Sequence, residues 1–281
     1  MTALRIALVQ TRTPATPGAA LEHLRPLLDQ AVAGGARLIV TPEASNFMEK
    51  RTEKKAAILA DADDDVVVQG VREIAREAGV WILLGSAMVR SGDPSDPRAA
   101  NRSMLINDRG EVESTYDKLH VFDVDLPNGD RYRESSGVRP GDRAVVADTP
   151  WTKLGLTVCY DLRFPHLFRA LAQSGAQIIT VPAAFTRPTG EAHWETLLRA
   201  RAIETGAFVL APAQGGDHED GRATWGRSIA IDPWGQVIGL LDHDEPGVLF
   251  VDLDLEAVGK ARAAIPALTH DRDFTAPEPV R

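Results

Sequence analysis

Leu154-Gly155-Leu156-Thr157-Val158-Cys159-Tyr160-Asp161-Leu162-Arg163-Phe164-Pro165 is an apolar run that stops on the only cysteine of the chain and then turns polar. Leu154 to Val158 predicts a buried strand. Pro165 opens a helix over His166 to Ser174, because proline at a first helical position gives up no hydrogen bond. Cys159 therefore falls at a strand-to-helix turn. Such a turn pushes a side chain out of the sheet edge while the backbone N–H groups that follow point the same way, the placement an acyl-transfer nucleophile needs. A lone cysteine after a strand is more often a small buried hydrophobe. Against that stand Tyr160, Asp161 and Arg163, polar residues clustered where a core segment would stay apolar.

Outward from this segment, short apolar strands alternate with amphipathic stretches. Leu4 to Val9, Leu38 to Val40, Trp81 to Leu84, Ile178 to Val181, Phe208 to Ala211 and Val248 to Asp252 predict strands. Helices are expected around Leu21 to Val32, over Val66 to Gly79 with Asp65 or Asp64 as cap, over Ala192 to Thr205, and near Leu255 to Ala263. Met48 to Asp64 is alanine-rich and charged and predicts an exposed helix. Hairpins interrupt the alternation: Ser103 to Ile106 with Val112 to Tyr116, and Thr224 to Ile231 with Gln236 to Leu241 across Asp232-Pro233-Trp234-Gly235. This pattern predicts an α/β protein with mixed sheets, two sheets packed together with helices outside. Val124 to Asp142, carrying Glu134, is expected to be an ordered loop, and loops of that length in a compact domain are usually functional.

Length and composition fit one domain over residues 1–281 with a short tail from about Thr269, since no Pro, Ser or Gly linker divides the chain. A net charge of −9 opposes a phosphate-backbone partner, which requires clustered Lys and Arg. A single cysteine forbids an intrachain disulfide. With no basic-then-apolar leader, the chain is expected to be cytoplasmic. No stretch reaches the roughly 20 apolar residues of a membrane span. Glycine-rich phosphate loops, a Gly-x-Ser-x-Gly elbow and a His-Glu-x-x-His pair are missing. The acidic cluster Asp242-His243-Asp244-Glu245 precedes Pro246-Gly247 in what predicts an exposed turn, so no metal is expected.

Glu43, Lys118 and Cys159 each follow an apolar strand, and convergence at one sheet edge would gather them. Pro42-Glu43, Tyr116-Asp117-Lys118-x-His120-x-Phe122-Asp123 and Cys159-Tyr160-Asp161-x-Arg163-Phe164-Pro165 together resemble the nitrilase superfamily of carbon–nitrogen hydrolases, in order and spacing, over nearly the whole chain. The resemblance implies a four-layer α-β-β-α sandwich, dimerised or further assembled through helical faces. It implies a Glu43, Lys118, Cys159 triad, with Glu134 beside the lysine and no cofactor. A free thiol, with a pKa of about 8.5, is only a few per cent thiolate at neutral pH. Glu43 would supply a base and Lys118 a cation, and loss of either is expected to cost activity rather than stability.

Thr189-Gly190-Glu191-Ala192-His193-Trp194-Glu195 and Arg201-Ala202-Ile203-Glu204 look like the branch holding deaminated-glutathione amidase and omega-amidase. That likeness implies a small amide substrate carrying a carboxylate, with Arg163 at the position that supplies its cation and Tyr160, Phe185 and Thr189 completing the pocket. Thr41, usually aromatic, and His166, usually glutamate, depart from the pattern. The alternatives are an omega-amidase on 2-oxoglutaramate, an N-carbamoyl amino-acid hydrolase, a general aliphatic amidase, and a catalytically silent scaffold of the same fold.

Overall fold

Residues 3–127 and 129–277 are described by the computed structural model. Residues 278–281 of the expected tail lie outside them. Among the described residues the main strands form two sheets. The seven-stranded sheet runs Gly247–Leu253, Leu4–Gln10, Leu38–Val40, Trp81–Arg90, Ala99–Ile106, Val112–Asp117, with Val138–Arg139 paired beside Ala99–Ile106. The six-stranded sheet runs Val237–Leu240, Ile229–Ile231, Phe208–Ala211, Ile178–Thr180, Lys153–Leu156, Val145–Asp148. In both, the helix-connected central strands pair in parallel, and the hairpins and edges pair antiparallel. Connection type thus sets strand direction, as expected for alternation broken by hairpins.

Period-two alternation produces the layers. In Leu4–Gln10, Ile6 and Leu8 join the core shared with Leu154, Leu156 and Val209 of the other sheet. Ala7 and Val9 face the opposite way and pack with Leu24 and Leu28 of the helix Pro17–Ala33 and with Val71 and Ile74 of Val66–Ala78. The six-stranded sheet is covered by Pro165–Gln173 and Arg187–Thr205, which contribute Phe168, Leu171, Trp194 and Leu198. The result is a four-layer α-β-β-α sandwich, and both faces of the central strands are apolar because both are buried.

Asp65 is the helix cap: its Oδ1 accepts the N–H groups of Val67 at 2.9 Å and Val68 at 3.1 Å. Two expectations need correction, and one strand is added. Only Thr52–Ile58 of the stretch Met48 to Asp64 is helical; Phe47 and Met48 turn inward to pack with Met88 and Val138. Thr224 to Ile231 is not one strand, because Gly226 and Arg227 take left-handed φ of 67° and 57°. That turn sends Ala223–Trp225 to pair with Gly215–Asp217 and leaves Ile229–Ile231 in the main sheet. Val145–Asp148, unassigned from sequence, is an edge strand. The loop Val124 to Asp142 also carries regular structure: strands Asp123–Asp125 and Arg131–Arg133 form a hairpin beside a 3-10 turn at Glu134–Ser136. The acidic cluster is ion-paired, with Asp244 on Arg187 at 3.1 Å and Glu245 on Arg12 at 3.0 Å.

One irregularity sets the position of Glu43. The strand Trp81–Arg90 shifts register between Leu84 and Ala87, and the resulting bulge cradles the segment after Leu38–Val40. Gly85 N–H donates to Thr41 Oγ1 at 3.0 Å, and Ala44 N–H donates to Ser86 Oγ at 2.9 Å. A Cβ on Gly85 would stand 1.9 Å from the Thr41 carbonyl oxygen, so glycine is required for the two backbones to touch. Gly85→Ala is expected to lose about 1–3 kcal/mol. Gly259→Ala, in the helix Glu256–Ala264 with open space around it, should gain about 0.5–1 kcal/mol. Urea unfolding of the two variants checks this; equal midpoints would contradict it.

Candidate active site

Glu43 follows Leu38–Val40 of one sheet, Lys118 follows Val112–Asp117 of the same sheet, and Cys159 follows Lys153–Leu156 of the other. All three meet in the wall of one cleft of about 740 Å³, at strand ends where α/β sheets collect functional groups. Lys118 Nζ lies 2.9 Å from Glu43 Oε1 and 2.8 Å from Glu134 Oε2. The second Glu43 oxygen, Oε2, accepts the Ala184 N–H at 2.9 Å. Cys159 holds φ at 51° and Ala44, next to Glu43, holds φ at 54°. Left-handed backbone at a non-glycine residue costs about 1–3 kcal/mol and persists only where surroundings enforce it. Here the Cys159 N–H is fixed to the Pro182 carbonyl at 2.9 Å, and Ala44 is fixed by the bulge.

Charge states follow from burial and neighbours. Burial pushes the Glu43 carboxyl up, but the Lys118 ammonium, the Cys159 thiol and the Asn101 amide outweigh it and hold Glu43 below its ordinary value. Burial also works against the Lys118 charge, yet Glu134 and Glu43 raise its pKa well above the lysine norm. Burial, joined by the Glu43 charge, pushes the Cys159 thiol well up, with Lys118 offsetting only part. At rest the cluster is carboxylate, ammonium and neutral thiol. The thiol is therefore not a preformed thiolate, and the Glu43 carboxylate is the charged acceptor placed beside it.

The remaining motif residues hold this arrangement. Asp161 is fully buried, accepting from Tyr116 Oη at 2.7 Å, Val158 N at 2.8 Å and His120 N at 3.1 Å, with His120 Nδ1 2.7 Å away. It ties the Lys118 segment of one sheet to the Cys159 turn of the other. The His120 ring stacks on Phe164 at 3.5 Å. From the helix behind, Arg201 Nε donates to the Leu162 carbonyl at 2.9 Å, so the turn is gripped from both sides. Thr41 is buried in the bulge contact, whereas His166 is exposed at the edge of the His120 ring.

Of the residues expected to line a pocket, Glu134, Tyr160, Phe185 and Thr189 do so. Arg163 does not. Its guanidinium sits over the Phe185 ring, 5.6 Å from the centroid, and reaches His193 at 3.3 Å. Cys159–Arg163 is a 3-10 turn rather than α-helix. With about three residues per turn, a residue four positions on points about a third of a turn away from the thiol. The cleft has other cations: its arginines are ion-paired, Lys50 is exposed, and Lys55 of the helix Thr52–Ile58 is half-buried, with Nζ about 3.0 Å from where a Cβ of Gly137 would stand. Among the described residues Lys55 has no ion-pair partner; burial and nearby Arg222 lower its pKa, while Glu134 works the other way. Asn101, which sequence reading passes over, also lines the cleft. The available signal is a polar residue on the inward face of a strand, Ala99–Ile106, that packs against apolar neighbours.

The chain is similar to known carbon–nitrogen hydrolases over most of its length. The family model described as carbon–nitrogen hydrolase matches residues 5–263. The deaminated glutathione amidase of Yersinia enterocolitica is 46% identical over 240 residues, covering 85% of this chain and 82% of that protein. The Caenorhabditis elegans NitFhit structure superimposes with a TM-score of 0.87 at 33% identity, over 97% of this chain and 66% of that longer one. An amidase of Nesterenkonia sp. AN1, solved with acrylamide added to its active-site cysteine, gives a TM-score of 0.75 at 29% identity over 94% of this chain and 98% of its own.

The charge pattern generates two expected outcomes. Lys118→Ala would leave the buried Glu43 carboxylate and the half-buried Glu134 facing each other without a counterion, a loss of about 3–5 kcal/mol. This differs from the sequence-based expectation of unchanged stability, and thermal unfolding decides between them. Glu43→Gln removes the charge that holds the thiol up while leaving Lys118 beside it, so the pH midpoint for alkylation of Cys159 by iodoacetamide should move down. A midpoint that stays put or rises would contradict the assigned charge states.

Proposed function

Since this chain belongs to the carbon–nitrogen hydrolase family, we propose that it hydrolyses the amide of a small carboxylate-bearing substrate through a thioester on Cys159, with deaminated glutathione preferred. One observation carries the reading: a buried neutral thiol, a charged carboxylate and an ammonium meet in one cleft wall, with the donor pattern leaving one Glu43 oxygen for the thiol proton. Sγ attacks the amide carbonyl carbon as its proton passes to Glu43 Oε2. The oxyanion is held by the Lys118 ammonium and the Tyr160 N–H, each such donor worth roughly 3 kcal/mol. The C–N bond then breaks, the departing amine takes the proton from Glu43, and a thioester remains. Water attacks it, giving its proton to Glu43; the C–S bond breaks and the thiol is reprotonated. The silent-scaffold alternative would not require a base, an ammonium and a thiol in contact at the expense of left-handed backbone at Cys159 and Ala44.

For substrate choice, Lys55 replaces Arg163 as the cation. The triad end of the cleft carries Glu43 and Glu134 against one Lys118, so an anionic substrate is repelled there and drawn to Lys55, which orients it with the carboxylate away from the thiol. A charge-assisted contact of this kind contributes about 1.5–3 kcal/mol. The cleft volume of about 740 Å³ accommodates a peptide-sized acid, which favours deaminated glutathione over the shorter 2-oxoglutaramate, and the name of the 46% identical relative points the same way.

Steady-state rates on deaminated glutathione, 2-oxoglutaramate, an N-carbamoyl amino acid and a neutral aliphatic amide test the reading. The first should lead in kcat/KM, by about ten- to a hundredfold over the neutral amide. Lys55→Met should erase most of that margin, and Arg163→Ala should leave it. A lead by the carbamoyl compound or the neutral amide would overturn the substrate assignment, and retention of the margin in Lys55→Met would overturn the role of Lys55.

A further inference from the structure

Asn101 is 2% exposed in the strand Ala99–Ile106 and touches the cluster at three points. Its Nδ2 donates to Glu43 Oε1 at 2.9 Å and reaches Glu134 Oε1 at 3.4 Å. Its backbone carbonyl accepts the Lys118 N–H at 3.0 Å. One residue thus contacts both carboxylates through its side chain and the lysine through its main chain. Its Oδ1 is buried with no partner. Rotating the amide to find one would aim an oxygen at two carboxylates, so the Nδ2 contacts fix the orientation even though an unpaired buried acceptor is costly.

The consequence lies in how Glu43 is presented. Oε1 receives both Lys118 Nζ and Asn101 Nδ2, each at 2.9 Å, which fills its accepting capacity. Oε2 has the Ala184 N–H alone, and the same N–H also stabilises a charge on the Cys159 sulfur. The oxygen open to the thiol proton is therefore Oε2. Without Asn101 the carboxylate keeps Lys118 on Oε1 and the Ala184 N–H on Oε2, but the second accepting site of Oε1 is left open, so the thiol proton is no longer steered to Oε2 alone. Glu43 and Glu134 would also share a single counterion with no neutral donor between them.

We propose that Asn101 is a positioning residue for amide hydrolysis: its carboxamide spans Glu43 and Glu134 on either side of Lys118, so that Glu43 presents Oε2 to Cys159. The inference rests on Glu43 acting as base in the proposed thioester reaction. A hydrogen bond to the charged form favours that form, and Asn101 is among the groups that hold Glu43 below its ordinary value. Losing it must therefore raise the Glu43 pKa. The base is then protonated, and lost, at a higher pH as the solution is acidified.

The test is the pH profile of kcat/KM for deaminated glutathione hydrolysis in wild type, Asn101→Ala and Asn101→Asp, with folded fraction checked by circular dichroism. Asn101→Ala should lower kcat/KM by about ten- to a hundredfold, the scale of a sub-ångström to ångström misplacement, through kcat more than KM, and its acid limb should move to higher pH. Asn101→Asp adds a third carboxylate and should move the limb further. If Asn101→Ala fails to fold, Asn101→Ser, which keeps a small polar side chain but cannot span both carboxylates, carries the same expectation. An unmoved acid limb in a folded variant, or a loss of rate matched by loss of folded protein alone, overturns the proposal. Cys159→Ala separates the two levels: if it still hydrolyses the substrate, the thioester reading fails, whereas an unmoved limb with Cys159→Ala inactive sinks only the role of Asn101.

Discussion

The Lys118 ammonium is the constraint on which the rest of the site depends. It is almost entirely buried and lies within 2.9 Å of two carboxylates. Removing three charges from water is expensive, and their mutual attraction compensates only when geometry is good and the other lone pairs are satisfied. The fold supplies those conditions from both sheets: Ala184 on Glu43, Phe122 on Glu134, and Asn101 between them. Burial first, and the Glu43 charge second, then hold the thiol in its protonated form, with Lys118 offsetting part of both.

Backbone strain is the second ingredient, and its sources can be named. Cys159 is forced into left-handed φ by a turn pinned through Pro182, Asp161 and Arg201. Ala44 is forced there by the bulge at Gly85 and Ser86. Asp161 adds the inter-sheet link through Tyr116 and His120. The two sheets are thus locked in register at the one place where residues from both must meet. Tyr116, Asp161 and Phe164 serve the site through packing and hydrogen bonding.

Much of this is legible in the sequence, for identifiable reasons. Apolar strands ending in Glu43, Lys118 and Cys159 mark those residues as strand-end groups, although they come from two facing sheets and not from the one sheet edge expected, and the mixture of hairpins and helices implies the sandwich. What fails is local angle. Arg163 is expected to supply the cation for a substrate carboxylate, but the 3-10 turn that forms carries its guanidinium to Phe185 and His193. Thr224 to Ile231 reads as continuous because its apolar pattern conceals a reversal at Gly226 and Arg227. Asn101 carries no motif at all; its importance arises from three contacts to residues between 17 and 58 positions away in sequence, which no local pattern encodes. Lys118 is legible as a site residue but not as a stabilising one, since burial of a charge is a tertiary property.

Mass spectrometry of enzyme quenched with acid during turnover of deaminated glutathione tests the central claim most directly. The account predicts a 2-oxoglutaryl adduct on the tryptic peptide containing Cys159, absent from Cys159→Ala, which should release no cysteinylglycine. Release of cysteinylglycine by Cys159→Ala at the wild-type rate, or an adduct on another residue, would contradict it.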